Sequence, residues 1–198
     1  MILRTLVLTG ALIAAASAQA QTTRGGKSEF YLAPVFTASK NYSFEGGSTA
    51  HSDTGVGLTL GYAYNFDRKK SLGVETSWSS ADYRATAAPG PGNPNAPGSI
   101  SGSMDTWTMR LLGNYSFLEA DITPFVTGGL GWTYIDTSIP SGLPQNATRF
   151  SYNVGAGVRM ELGKGFVRAL VSEQWVDFAG SYGGTSWTQY RIDFGVKF

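Results

Sequence analysis

The sequence predicts an all-β fold, an eight-stranded antiparallel up-and-down barrel that crosses a membrane with strands. Three observations carry this. Apolar residues alternate with small or polar ones over successive segments, as in Val56, Leu58, Leu60, Tyr62, Tyr64 and Phe66 against Gly57, Thr59, Gly61, Ala63 and Asn65, which is the period of two that marks a strand with unlike faces. Charged residues make up only 15% of the chain and 26 of its 198 residues are glycine, whereas a soluble domain carries roughly 25% charge. No segment after the first twenty residues has eighteen consecutive apolar residues, so an apolar exterior must be assembled from strands.

The last nine residues show the pattern most plainly. Tyr190, Ile192, Phe194, Val196 and Phe198 form one face, and Arg191, Asp193, Gly195 and Lys197 form the other. A strand with a charged face and an apolar face that ends on an aromatic residue fits the wall of a transmembrane barrel.

The amino terminus has the pattern of a secretion signal. Arg4 supplies a positive start, Leu6 to Ala16 a short apolar run, and Ala18-Gln19-Ala20 the small residues of a cleavage site before Gln21. Residues 1–20 are therefore assigned to a signal peptide, residues 21–27 to an N-terminal periplasmic segment and residues 28–198 to the barrel domain. Without Arg4 the basic and acidic residues are equal at 14 each, and a formal charge of zero argues against a nucleic-acid binder. Cysteine is absent, which excludes disulfides, a lipoprotein anchor and thiolate metal sites.

The strands follow in order. Ser28 to Ala38 is the first, with Phe30, Leu32 and Phe36 assigned outward over Tyr31 and Val35, and with Pro34 expected near a bulge or an unpaired position because it lacks the ladder donor. Ser39 to Asp53 reads as a polar loop. Thr54 to Phe66 is the second strand, and Asp67 to Lys70 a charged turn. Leu72, Val74, Thr76 and Trp78 form the outer face of the third, before a long Pro/Gly/Asn/Ser loop from Arg84 to Ser103.

Asp105 to Phe117 places Trp107, Met109, Leu111, Tyr115 and Phe117 outward and Thr108, Arg110, Leu112 and Asn114 inward. After a short turn, Thr123 to Asp136 sets Val126, Leu130, Trp132 and Tyr134 outward. Thr137 to Arg149 is a loop, and its Asn146-Ala147-Thr148 is discounted as a chance glycosylation match. Phe150 to Leu162 and the strand with Val167, Ala169, Val171 and Trp175 are joined by a tight hairpin. A two-residue Lys164-Gly165 turn would set Glu161 opposite Arg168 inside. Glu173 breaks the outward face: a bulge near Ser172 that turns it inward is preferred to a place at the outer headgroups. Ala179 to Ser186 returns the chain to the final strand.

Short and long connections alternate, as in transmembrane barrels with short periplasmic turns. Trp78, Trp107, Trp132, Tyr134, Tyr152, Trp175 and Trp187 fall near the long loops and Phe66, Phe117 and Phe198 near the turns, where two aromatic girdles would lie.

Ile122-Thr123-Pro124-Phe125-Val126-Thr127-Gly128-Gly129-Leu130-Gly131-Trp132, Asn153-Val154-Gly155-Ala156-Gly157-Val158, Trp175-Val176-Asp177-Phe178 and the terminal Phe198 together resemble the small outer-membrane β-barrel superfamily, the outer membrane protein β-barrel domain of OmpA-type and OmpX-type barrels. The resemblance covers the whole chain after the leader. It implies a bacterial outer-membrane location, contact with outer-membrane lipid, and recognition of Tyr190, Ile192, Phe194, Val196 and Phe198 as an assembly signal by the barrel-assembly machinery. Glu173 departs from it, standing where the family usually has an aromatic residue. The sequence stops at the barrel, so no cell-wall tether is carried over.

The chemistry is sparse. His51, the one histidine, lies in His51-Ser52-Asp53, and the sharp reading is a lipid A-modifying enzyme; adjacent residues diverge from a common attack point, so a solvated loop is preferred and no catalytic, metal or cofactor residue is assigned. The inward charges are Glu75, Arg110, Arg159, Glu161, Arg168, Arg191, Asp193 and Lys197. A narrow interior has room only for side chains and its charges must pair, so they are read as a salt-bridged plug rather than an ion path, with lumen pairs among Glu75, Arg110, Glu161 and Arg168. The expected role is non-enzymatic, structural or surface-interacting, with the long loops open to an extracellular ligand. The alternatives are a lipid A-modifying enzyme, a soluble lipocalin-like carrier with the apolar face inside, and a narrow pore.

Overall fold

A computed structural model describes residues 24–43, 49–86, 99–138, 146–176 and 185–198. The proposed signal peptide and the centres of the long connections lie outside these residues.

Among the described residues ten strands form one sheet: β1 (Ser28–Thr37), β2 (Lys40–Ser43), β3 (Thr49–Ser52), β4 (Gly55–Asn65), β5 (Lys70–Thr86), β6 (Ile100–Ser116), β7 (Ile122–Thr137), β8 (Asn146–Leu162), β9 (Gly165–Val176) and β10 (Thr185–Lys197). Eight of them close into an antiparallel ring, β1-β4-β5-β6-β7-β8-β9-β10, because β5 pairs with both β4 and β6 and β1 with both β4 and β10. Closure removes the sheet edges that a bilayer could not satisfy. Two backbone bonds between Ser28 and Phe198, both 3.0 Å, fasten the seam at the short-turn end.

The period of two determines which side chain meets which medium. Val56, Leu58, Leu60, Tyr62, Tyr64 and Phe66 are exposed on the outside, as are Phe30, Leu32 and Phe36. Tyr31 and Val35 turn in and are buried. Pro34 pairs with Leu58 on β4, but the β1–β10 ladder runs from Leu32–Phe194 to Val35–Arg191 without pairs at Ala33 and Pro34, and the register is the same on both sides of the gap. The missing donor is thus an unpaired position, without a bulge.

Four expectations change. Residues 39–53, read as a loop, contain the β2–β3 hairpin, which adds to β5 through the pairs from Thr49–Thr86 to Ser52–Tyr83. Strand β5 runs to Thr86 and β6 starts at Ile100, so both ends of the expected 84–103 loop are ladder, and β8 starts at Asn146 inside the expected 137–149 loop. Beyond the bilayer both faces of a strand are wet, so alternation of hydropathy fades while hydrogen bonding continues. The β8–β9 turn is Gly163-Lys164, with Leu162 paired to Gly165 and Gly163 at φ 64°, a left-handed conformation that suits glycine.

The bulge expected near Ser172 is also absent. The β9–β10 ladder advances one residue at a time from Val196–Gly165 to Thr185–Val176, which leaves Glu173 on the outer face with Val171 and Trp175. Trp187, grouped by sequence with the girdle aromatics, points inward and is 5% exposed.

Candidate functional site

The interior is where chemistry-bearing side chains converge. At mid-barrel Glu75 and Arg110 are direct cross-strand neighbours on β5 and β6, and Arg110 Nε donates to Glu75 Oε1 at 2.8 Å. Glu75 Oε2 also accepts from Arg191 Nη1 at 2.7 Å and from the Tyr31 hydroxyl at 2.9 Å. Arg191 reaches on to Asp193, and Arg168, which lies opposite Asp193 in the β9–β10 ladder, donates from Nε to Asp193 Oδ2 at 2.8 Å. Its guanidinium stacks over the Tyr31 ring at 4.3 Å.

A second network closes the short-turn end. Arg159 grips Glu29 with two guanidinium nitrogens, at 2.9 and 2.5 Å, and gives its Nε to Glu161 at 2.6 Å. Lys197 Nζ bonds the other Glu161 oxygen at 2.6 Å. Arg24 folds back from the residues before β1 and donates to Asn65 on β4 at 2.6 Å and to Ser116 on β6 at 2.7 Å. The segment assigned by sequence to the periplasm thus supplies part of the barrel floor.

The expected pair of Glu75 with Arg110 is present; that of Glu161 with Arg168 is not. The turn falls one residue earlier than expected, so Arg159 stands opposite Arg168, and Glu161 opposite Phe166. Both registers keep the same faces because they differ by two residues, and hydropathy cannot separate them. Asp193 takes the place expected of Glu161 as the partner of Arg168. Glu29, Tyr31, Arg24, Phe166 and Gln174 were not singled out by the sequence reading. Alternation with outward Phe30 and Leu32 already implies that Glu29 and Tyr31 face in; nothing local marks Arg24.

Rings fill what the charges leave. The edge of Tyr31 occupies the place where Gly61 would carry a Cβ, and Phe166 does the same at Gly195. These glycines make room for large rings in a narrow lumen. Arg159 lies over the Phe166 ring at 3.9 Å, so the cation meets carboxylates at its edge and a π-face below.

Toward the long-connection end, Gln174 donates to Thr133 at 2.9 Å and to Thr108 at 3.3 Å, and receives Arg110 at 3.4 Å. Above it Ile135, Val176 and Trp187 pack with Met104 as an apolar layer. His51, on β3, has Nδ1 2.6 Å from Asn41 Oδ1 and Nε2 3.0 Å from Asp53 Oδ1. Both ring nitrogens are engaged, and the Ser52 hydroxyl donates to the Asp53 carbonyl at 3.3 Å instead of to the imidazole.

On the outer wall, Trp78, Trp107, Trp132, Tyr134 and Tyr152 are exposed toward the long-connection end, and Phe66, Phe117 and Phe198 at the other. Tyr152 and Trp175 stack at 5.2 Å. Tyr190, Ile192, Val196 and Phe198 are exposed along β10, with Phe194 half-buried. Glu173 accepts a hydrogen bond from Thr188 on the same face at 2.7 Å.

An apolar exterior between aromatic rims, around a polar interior closed by ion pairs, defines a transmembrane β-barrel. The chain belongs to the outer membrane protein β-barrel domain family, whose match spans residues 6–198. Among curated proteins none matches the sequence. In fold it is similar to OprG from Pseudomonas aeruginosa, at 16% identity and a TM-score of 0.55 over 91% of this chain and 99% of that one. It is likewise similar to Neisserial surface protein A, at 13% identity and a TM-score of 0.56 over 86% and 97% of the two chains. The attachment invasion locus protein Ail of Yersinia pestis aligns at 15% identity and a TM-score of 0.51 over 88% and 99%.

Proposed function

We propose that this outer-membrane barrel has a non-enzymatic role, structural or surface-interacting, exerted through its external end. The observation that carries this reading is the closed interior: Glu75, Asp193, Glu29 and Glu161 are each held by arginine or lysine, and Tyr31 and Phe166 fill the space between. Such a plug supports a scaffold over a pore. The engaged ring nitrogens of His51 weigh against a serine–histidine catalyst, and the outward apolar face is the reverse of what a lipocalin-like carrier needs.

Export on a cleaved leader of residues 1–20 and recognition of the β10 face by the assembly machinery belong to the same reading. The similarity to proteins titled as a Neisserial surface protein and an attachment invasion locus protein is in keeping with surface interaction. Deletion of the gene, scored for adhesion and envelope stress, is the test, together with planar-bilayer recordings of the purified barrel. A defect in either phenotype with no porin-like conductance is expected; large stable conductance would overturn the plug, and wild-type behaviour in both assays would overturn the role.

A further inference from the structure

At the short-turn end the outer wall carries a cation between two aromatic pairs. Lys70, the first residue of β5, is exposed on the same side of the strand as lipid-facing Leu72. To one side of it is Phe66, whose amide donates to the Lys70 carbonyl at 3.0 Å. To the other is Tyr115, its partner in the β5–β6 ladder. Phe66 meets Tyr64 edge to face at 5.4 Å, and Tyr115 meets Phe117 in the same way at 5.5 Å. One step deeper the wall loses its side chains: Gly113, opposite Leu72, pairs with Gly128 on β7, and both are exposed. A Cβ added at Gly113 would meet only the Gly128 carbonyl oxygen, at 3.9 Å, and one at Gly128 only the Asn153 carbonyl oxygen, at 3.8 Å. A shallow apolar groove therefore leads from Lys70 into the bilayer.

The turn behind Lys70 adds charge. Asp67 Oδ1 accepts from the amides of Lys69 at 2.6 Å and Lys70 at 2.7 Å, so this carboxylate is engaged by its own backbone. Arg68, Lys69 and Lys70 against Asp67 leave the turn at +2. Lys27 brings a further cation alongside, since its carbonyl accepts from the Asn65 amide at 2.9 Å. Lys69 has Glu119 at 4.0 Å, whereas Arg68 and Lys70 form no salt bridge among the described residues. The β6–β7 turn carries Glu119 and Asp121 instead, so the positive field belongs to the β4–β5 side. A lysine on such a wall lays its stem on apolar surface and sends its ammonium to the headgroups, the depth that aromatic rings also favour. Each Lys or Arg near an anionic membrane surface strengthens attraction roughly fivefold.

We propose that this part of the wall binds an anionic phospholipid of the periplasmic leaflet, its phosphodiester held by Lys70 and Arg68 and an acyl chain lying in the groove over Gly113 and Gly128. One molecule meets both demands, because it joins a negative headgroup to a long apolar chain. A zwitterionic phospholipid fits the groove but carries an ammonium into the field of the turn. The site rests on the membrane-spanning fold and not on the surface-interaction role.

The test uses the full-length mature barrel, labelled with ¹⁵N, in phosphatidylcholine nanodiscs into which phosphatidylglycerol is introduced at constant total lipid. The amide resonances of Phe66 and Tyr115 flank the site and survive every substitution used. They are expected to move saturably with the fraction of phosphatidylglycerol, and the apparent affinity should fall severalfold as salt rises from about 0.05 to about 0.5 M, because screening shortens the reach of the charges. Lys70→Gln and Arg68→Gln should each weaken binding roughly fivefold, while Lys70→Arg and Lys164→Gln, the latter at the β8–β9 turn of the same end, should leave it within about twofold. Gly113→Leu, which fills the groove and leaves every charge in place, should weaken it severalfold. Heat-modifiable migration like that of the wild type shows that each variant folds. No saturable movement up to pure phosphatidylglycerol, equal affinity in Lys70→Gln and Arg68→Gln, or the same movement produced by inorganic phosphate alone would overturn the lipid site, and full affinity in Gly113→Leu would overturn the groove. The result is independent of the deletion phenotype, so failure here leaves the surface-interaction reading standing.

Discussion

Arg159 on β8 and Glu29 on β1 are joined by two hydrogen bonds across the lumen, at 2.9 and 2.5 Å, and both are essentially without solvent exposure. They lie 130 residues apart in sequence. The bidentate fork aligns both planes, and the guanidinium rests on the Phe166 ring at 3.9 Å. Removing one member of a buried pair costs about 3 to 5 kcal/mol where the other charge is left without a partner; Arg159 keeps its bond to Glu161 at 2.6 Å, which puts the loss of Glu29 toward the lower end. Glu29→Ala is therefore expected to lower the thermal unfolding midpoint in detergent more than Glu161→Ala, whose carboxylate retains 16% side-chain exposure. Both should exceed Lys69→Ala, at a turn. Equal midpoints for Glu29→Ala and Lys69→Ala would count against this pair as a structural tie.

The register of the β8–β9 hairpin can be read by thermodynamic coupling. Arg168 with Asp193 should show an interaction energy above about 1 kcal/mol in a double-mutant cycle, since contacting residues couple by ~0.5 to 3 kcal/mol. Arg168 with Glu161 should couple by less than about 0.5 kcal/mol. The opposite ranking would restore the register that a Lys164-Gly165 turn implies.

Phe198 is 65% exposed and its backbone closes the seam with Ser28. Its deletion removes an outward anchor and two seam hydrogen bonds together. Heat-modifiable barrel in cells should fall sharply while export continues. A complementary Phe198→Ala, which keeps the backbone bonds, separates the two causes: normal yield would mean that the seam matters and the side chain does not.

Asp67 sits in the turn between β4 and β5 and accepts amide hydrogen bonds from Lys69 at 2.6 Å and Lys70 at 2.7 Å. Those amides hold its carboxyl below the ordinary aspartate value of 3.8. A group depressed on folding stabilises the turn above its unfolded value, and that contribution is lost as pH falls through the folded one. Amide exchange at Lys69 and Lys70, corrected for intrinsic rates, should accelerate as pH drops below 3.8, and Asp67→Asn should remove most of the pH dependence. Unchanged pH dependence in Asp67→Asn would mean that another group governs the turn.

Strand identity and facing were legible in the residues themselves, because lipid and lumen impose opposite chemistry on alternate positions. Leu58, Tyr62, Trp107 and Val154 had to face out, and Arg110, Arg159 and Asp193 had to face in. Glu29 was legible by the same rule, since it alternates with Phe30, but its partner was not. Which charge meets which depends on the register between strands and on distances across the lumen, and a slip of two residues leaves every face unchanged. The pairing of Arg168 with Asp193, the return of Arg24 across the floor and the inward turn of Trp187 therefore belong to the tertiary structure. The ladder beyond the girdles belongs there too: at Tyr83 or Ser101 both faces meet water, hydropathy no longer alternates, and only the hydrogen bonds of neighbouring strands decide where a strand stops.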